Sequence, residues 1–81
     1  MRVTVIAPDR ALFDGDATSV VAPAYDGLVG ILPGHAPFLT VLGTGSLTIA
    51  HGSASSRFTV QGGFLQVVGD TVRVVAEHAD T

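Results

Sequence analysis

With 81 residues, no cysteine, four basic and seven acidic side chains and a formal charge of −3, the chain makes one small domain, residues 1–81, that apolar burial alone must hold together. Arg2, Arg10, Arg57 and Arg73 are scattered and lysine is absent, so there is no basic stripe to displace counterions from nucleic acid or to grip an anionic membrane. Hydrophobic residues make up 47% and charged residues 14%, against the roughly 25 to 35% charged surface usual for a small soluble domain, which reserves part of the outside for other proteins.

The chain opens into Arg2-Val3-Thr4-Val5 without a signal-peptide pattern, and no apolar run approaches the roughly 20 residues of a membrane span. A soluble, cytosolic chain is expected. From here the dominant hydrophobic period is two, that of a strand with one face buried. Val3, Val5 and Ala7 share one face of the first strand, and Pro8-Asp9-Arg10 turns the chain. Leu12-Phe13-Asp14-Gly15-Asp16 reads as a tight turn, because the further oxygen ligands of a calcium loop are missing. Gly27 to Pro37 packs three glycines, two prolines and His35 around Ile31-Leu32, the composition of a shaped loop.

After that loop Phe38 and Leu39 alternate across a strand, one to the core and the other outward as the better contact candidate. Gly43-Thr44-Gly45-Ser46 lacks the lysine and following helix of a phosphate loop and reads as a hairpin turn. Leu47 and Ile49, then Phe58 and Val60, mark two half-buried strands joined by a mobile loop of small polar residues, His51 to Ser56. Leu65 to Val68 and Thr71 to Val75 flank Gly69-Asp70, whose leading glycine suits a type II′ hairpin turn, with Val72, Val74 and Ala76 on one face. Phe13, Phe58 and Phe64 are assigned to the core. The prolines at 8, 23, 33 and 37 belong in loops, bulges or edge positions. Short strands with Gly/Pro punctuation make an all-β sandwich or flattened barrel.

Catalytic constellations are missing. His35, His51 and His78 lie in separate segments without zinc-ligand spacing, and no nucleophile elbow or dinucleotide fingerprint occurs. An enzyme, a resident cofactor and a metal are therefore not expected. A lipoyl-type carrier needs a lysine, and an oligonucleotide-binding module needs basic residues with exposed aromatics, so neither fits. A free-standing β-sandwich protein-binding module remains as the alternative class.

Three segments in order, Ser19-Val20-Val21-Ala22-Pro23, Gly27 to Pro37 with its Pro33-Gly34-His35-Ala36-Pro37 core, and Gln61-Gly62-Gly63-Phe64-Leu65-Gln66-Val67, resemble the amino-terminal domain of the F-type ATP synthase epsilon subunit. The aromatic-acid-Gly-acid step at Phe13 to Asp16 agrees, and the resemblance covers Val3 to about Ala79. It implies a flattened β-sandwich of about ten short strands. It also implies a non-catalytic central-stalk rotor subunit that fixes the gamma shaft to the membrane c-ring, so that ion flow drives ATP synthesis. The complex would lie on the cytoplasmic side of a bacterial membrane, with this chain attached only through its partners.

In that family the loop matching Asp26, Gly27, Leu28 and Val29 faces the polar loops of the c-ring. The segment carrying His35, Ala36, Phe38 and Thr40 lies against gamma. Leu28 stands where the family often has an acidic or polar residue, which points to apolar packing there. His35 either bonds its own loop or meets the shaft. Most members continue into a C-terminal two-helix hairpin, absent here after Ala79-Asp80-Thr81. Either a naturally short member or a trimmed β-domain fits the sequence, and a natural short form predicts no regulation by such a hairpin.

Overall fold

A computed structural model describes residues 1–80. Every element in them is a strand: β1 (Arg2–Ala7), β2 (Arg10–Asp16), β3 (Ser19–Ala24), β4 (Gly27–Ile31), β5 (Phe38–Val41), β6 (Thr44–His51), β7 (Ala54–Val68) and β8 (Thr71–Asp80). The hydrogen-bonded order is β2-β1-β8-β7-β6-β3-β4, with β5 beside β7. All pairings are antiparallel except β1 with β8.

Two long strands turn this one path into two layers. The first part of β7, Ala54 to Gln61, pairs with β6, whereas its last part, Phe64 to Val67, pairs with β5. On its other side β7 stays paired with β8 from Thr59↔Asp80 to Val68↔Thr71, so both strands bend together near Gly62-Gly63. One layer is β2-β1-β8-β7-β5 and the other β8-β7-β6-β3-β4. Eight strands, two of them shared, supply the ten strand segments that the sandwich contains.

The period-two pattern of the chain becomes this core. Val3, Val5, Leu65, Val67, Val72 and Val74 from one layer meet Val20, Ile31, Leu47, Ile49, Phe58 and Val60 from the other in one buried cluster. Each fully buried Val, Leu or Ile contributes about 1.5 to 3 kcal/mol relative to exposure, enough to hold a domain with no disulfide. No buried side-chain nitrogen or oxygen lacks a partner among the described residues.

The bend depends on glycine. Gly62 and Gly63 have φ of 70° and 105°, a region that residues with a Cβ rarely occupy. At Gly63 an added Cβ would overlap the Val75 carbonyl oxygen and lie 2.9 Å from Ala76 Cα. The hairpin at Gly69-Asp70 forms as the sequence indicates, with Gly69 at φ 59° and no positive φ at Asp70, the signature of a type II′ turn.

Several local expectations change. Asp14 to Asp16 is not a turn but the end of β2, because Asp14, Gly15 and Asp16 pair with Thr4, Val3 and Arg2. The Gly27–Pro37 loop is shorter than its composition implies. Gly27 to Ile31 pairs with β3 across the Tyr25-Asp26 turn, with Val29 and Ile31 facing inward. His51 to Ser56 is a tight two-residue hairpin at Gly52-Ser53, where Gly52 takes φ 68°. Gly43 begins a corner rather than a hairpin, since β5 and β6 both pair with β7 and not with each other. Phe64 leaves the core: the strand phase slips at the two positive-φ glycines, so Leu65 takes the inward position. Pro23 lies in β3 beyond its last pair with β6, where its missing donor leaves no ladder bond unmade.

Candidate protein-docking face

The outer face of the first layer is built by register. Val41 of β5 sits opposite Phe64 of β7, Phe64 opposite Val75 of β8, and Val75 opposite Ile6 of β1. These four make an apolar row across the sheet. The next row, Leu39-Gln66-Arg73-Thr4-Asp14, is mixed. Toward the far edge the face becomes charged, with Arg2 Nη2 2.6 Å from Asp14 Oδ1 in an exposed ion pair.

A second connection brings an aromatic to the apolar end. Tyr25 N donates to Val41 O at 3.1 Å, Gly43 N to Pro23 O at 2.8 Å, and Leu42 N to Gly63 O at 2.9 Å. These bonds pin the β3–β4 turn against the end of β5 and the bend of β7. The result is an open groove lined by Tyr25, Asp26, Phe38, Leu39, Thr40, Val41, Phe64 and Gln66. Tyr25 is 71% exposed, Leu39 66%, Val41 58% and Phe64 40%. Large apolar side chains gathered at this exposure make the groove the candidate surface for docking another protein. Asp26 is the one charged group in the groove lining.

The residues singled out from sequence divide between two surfaces. Asp26 lines the groove together with Phe38 and Thr40. Phe38 and Thr40 are half-buried, Phe38 against the core, while their neighbours Leu39 and Val41 point outward. Gly27 starts β4, and Leu28 is 75% exposed on the outer side of the second layer, away from the groove lining. Val29 packs against the core. His35 shapes its own loop: Nδ1 lies 2.7 Å from the Ala36 carbonyl oxygen, which can only accept, and the ring meets Phe38 edge-on at 5.6 Å. Ala36 is exposed. Tyr25, Val41 and Phe64 carry much of the groove and were not signalled by the sequence pattern. Among the described residues no group of three or more His, Asp or Glu stands together as a metal site.

The family model for the β-sandwich domain of the ATP synthase delta/epsilon chain matches residues 1–81. The chain belongs to this family. Within it, an ATP synthase epsilon chain of Caulobacter vibrioides is 39% identical over 79 residues, covering 98% of this chain and 92% of the relative. The epsilon chains of Leptospira borgpetersenii and Solibacter usitatus are 40% and 44% identical over 78 and 80 residues. This chain spans 61% and 60% of their lengths. Among solved structures, the central stalk and c-ring of Tetrahymena thermophila mitochondrial ATP synthase contains a chain that superposes with a TM-score of 0.84 at 21% identity. That match covers 98% of this chain and 64% of the other. A chain of the Euglena gracilis mitochondrial ATP synthase superposes at 0.89, also at 21% identity, over 96% of this chain and 51% of that one. At these identities the superpositions establish the shared sandwich fold.

Proposed function

We propose that this chain is the β-sandwich portion of a central-stalk epsilon subunit that joins the gamma shaft to the c-ring and passes ion-driven rotation to the ATP-synthesising head. It performs no bond chemistry itself. The observation that carries the proposal, beside family membership, is the groove where Tyr25, Leu39, Val41 and Phe64 gather as exposed large apolar side chains from two separate strands and a turn. In this proposal the groove takes gamma, with Leu39 and Val41 in contact and Phe38, Thr40, His35 and Ala36 supporting them. The hairpin at Gly27 and Leu28 faces the ring, where exposed Leu28 packs on apolar surface, while Asp26 lines the groove and Val29 supports the hairpin from the core.

A joint of this kind must hold its two contact surfaces in fixed relation, or shaft and ring slip. The layers share β7 and β8 as continuous strands, so a load on the groove passes through covalent backbone into the layer that ends in β4. The chain would sit at the cytoplasmic surface of a bacterial membrane, bound through its partners.

Calorimetry with the matching gamma subunit tests this. Binding that Leu39→Asp or Val41→Asp abolishes and Leu28→Asp spares supports the proposal. Absence of binding at micromolar concentration points instead to a free-standing sandwich module. Binding insensitive to both groove variants would move the shaft contact elsewhere.

A further inference from the structure

The second layer ends in an edge strand that the fold leaves open. The backbone ladder of β4 runs to β3 alone, and no other hydrogen bond from Gly27 to Ile31 is made among the described residues. Its outward groups are therefore free to pair with another strand. The margin of β7 from Ala54 to Phe58 is also unpaired on its β8 side among the described residues, but it carries Arg57, and the edges of β2, β5 and β8 are protected. β2 carries Arg10, Asp14 and Asp16, and its pairing with β1 slips by one residue between Val5 and Ile6, which bulges the edge at Leu12. β5 is four residues long, with Val41 O already taken by Tyr25 N. The end of β8 bears Glu77, His78 and Asp80. β4, Gly-Leu-Val-Gly-Ile, has no charged residue.

We propose that β4 pairs antiparallel with β4 of a second copy of this chain, about a two-fold axis at Val29. The sequence of the strand is self-complementary in that register. Leu28 falls opposite Gly30 of the partner copy and Gly27 opposite Ile31, twice over by symmetry. Leu28 is 75% exposed, and the position of a Cβ on Gly30 has no atom within 4 Å. Each copy thus lays its exposed leucine over the other's glycine. The nearest charge, Asp26, falls beside Leu32 of the other copy, and the two Asp26 side chains end up roughly 20 Å apart at about 3.3 Å per residue. That is beyond the screening length of physiological salt, so like charge does not oppose the pairing. No other chemistry fits as well: a row of alternating backbone donors and acceptors is met by a strand, and a strand lacking charge is met without repulsion by itself.

Five residues a side, with Leu28 and Leu32, bury less than the roughly 1,200 Å² of a stable complex. The dimer is therefore weak and forms only at high concentration. It uses the edge that carries Leu28, so in a rotor the dimer and a ring contact through Leu28 would exclude one another.

Sedimentation velocity on the intact chain from about 20 µM to about 1 mM tests the proposal. The expected result is a monomer that becomes a dimer as concentration rises. Gly30→Lys and Leu28→Lys, which put a charge on the edge, weaken it at least tenfold, while Val68→Lys, on the remote β7–β8 hairpin, does not. Because the chain has no cysteine, Leu28→Cys mixed with Gly30→Cys should yield mainly the mixed disulfide under mild oxidation. Circular dichroism confirms that each variant is folded. A monomer throughout the range overturns the proposal. So does a dimer that both lysine variants leave intact, or disulfides without preference for the 28–30 pair.

Discussion

Gly63→Ala is the sharpest perturbation of this fold. The new methyl group would occupy the position of the Val75 carbonyl oxygen and lie 2.9 Å from Ala76 Cα, both parts of β8 backbone that cannot swing aside. The residue would also hold a Cβ at φ 105°, which costs about 1 to 2 kcal/mol before any clash. Relief requires β8 to move away at the Gly63↔Ala76 pair, which loosens neighbouring ladder bonds worth about 1 kcal/mol each. The sum is about 3 to 5 kcal/mol, a size seen only for a few defined mechanisms. For a chain of this length total stability is about 4 to 12 kcal/mol, so the loss is a large share of it. Gly62→Ala is the internal comparison. There the added methyl meets the Glu77 carboxylate at 2.9 Å, the movable end of a side chain, at φ 70°, and the cost is about 1 to 2 kcal/mol. Urea unfolding followed by far-UV circular dichroism measures both. Equal losses for the two variants, or a loss below about 1 kcal/mol at Gly63, would refute the claim that close approach of the β7 and β8 backbones requires this glycine.

Other substitutions have smaller or differently placed effects. Leu47→Ala removes a fully buried side chain from the centre of the sandwich and should lower stability by about 2 to 5 kcal/mol in the same assay. Arg2→Ala breaks an ion pair whose side chains are 59% and 54% exposed, so the change should stay within about 1 kcal/mol and shrink further in high salt. His35→Ala removes the bond to Ala36 O and the edge contact with Phe38, costing about 1 kcal/mol, with the groove shape and gamma affinity altered by calorimetry. Val41→Asp, at an exposed site, should leave the unfolding midpoint nearly unchanged while abolishing gamma binding.

The layers of the sandwich were legible because burial imposes period two. Val3-Val5-Ala7, Leu47-Ile49 and Val72-Val74-Ala76 face inward as the alternation indicates. The Gly69-Asp70 turn was legible because a positive φ at its first position asks for glycine. Where the pattern misled, longer-range pairing decided. Asp14-Gly15-Asp16 has turn composition but lies opposite a partner strand, and the Gly-rich start of the 27–37 segment is extended because β3 stands beside it. The groove was half legible. Phe38 and Thr40 lie in its lining, yet the outward Leu39 and Val41 beside them are the more exposed and share its apolar surface with Tyr25 and Phe64. Phe64 was hidden by the phase slip at Gly62-Gly63, which no local periodicity reveals. Tyr25 reaches the groove only through a hydrogen bond to a residue 16 positions away in sequence.

The coupling role itself is tested most directly in membrane vesicles carrying the reconstituted synthase, by following ATP hydrolysis and ATP-driven ion pumping together. With this chain present, the account predicts that the two activities are linked. With Leu39→Asp/Val41→Asp in its place, hydrolysis persists while pumping falls. Pumping that is undiminished when the chain is left out, or when the groove is charged in this way, would contradict the claim that this sandwich joins shaft to ring.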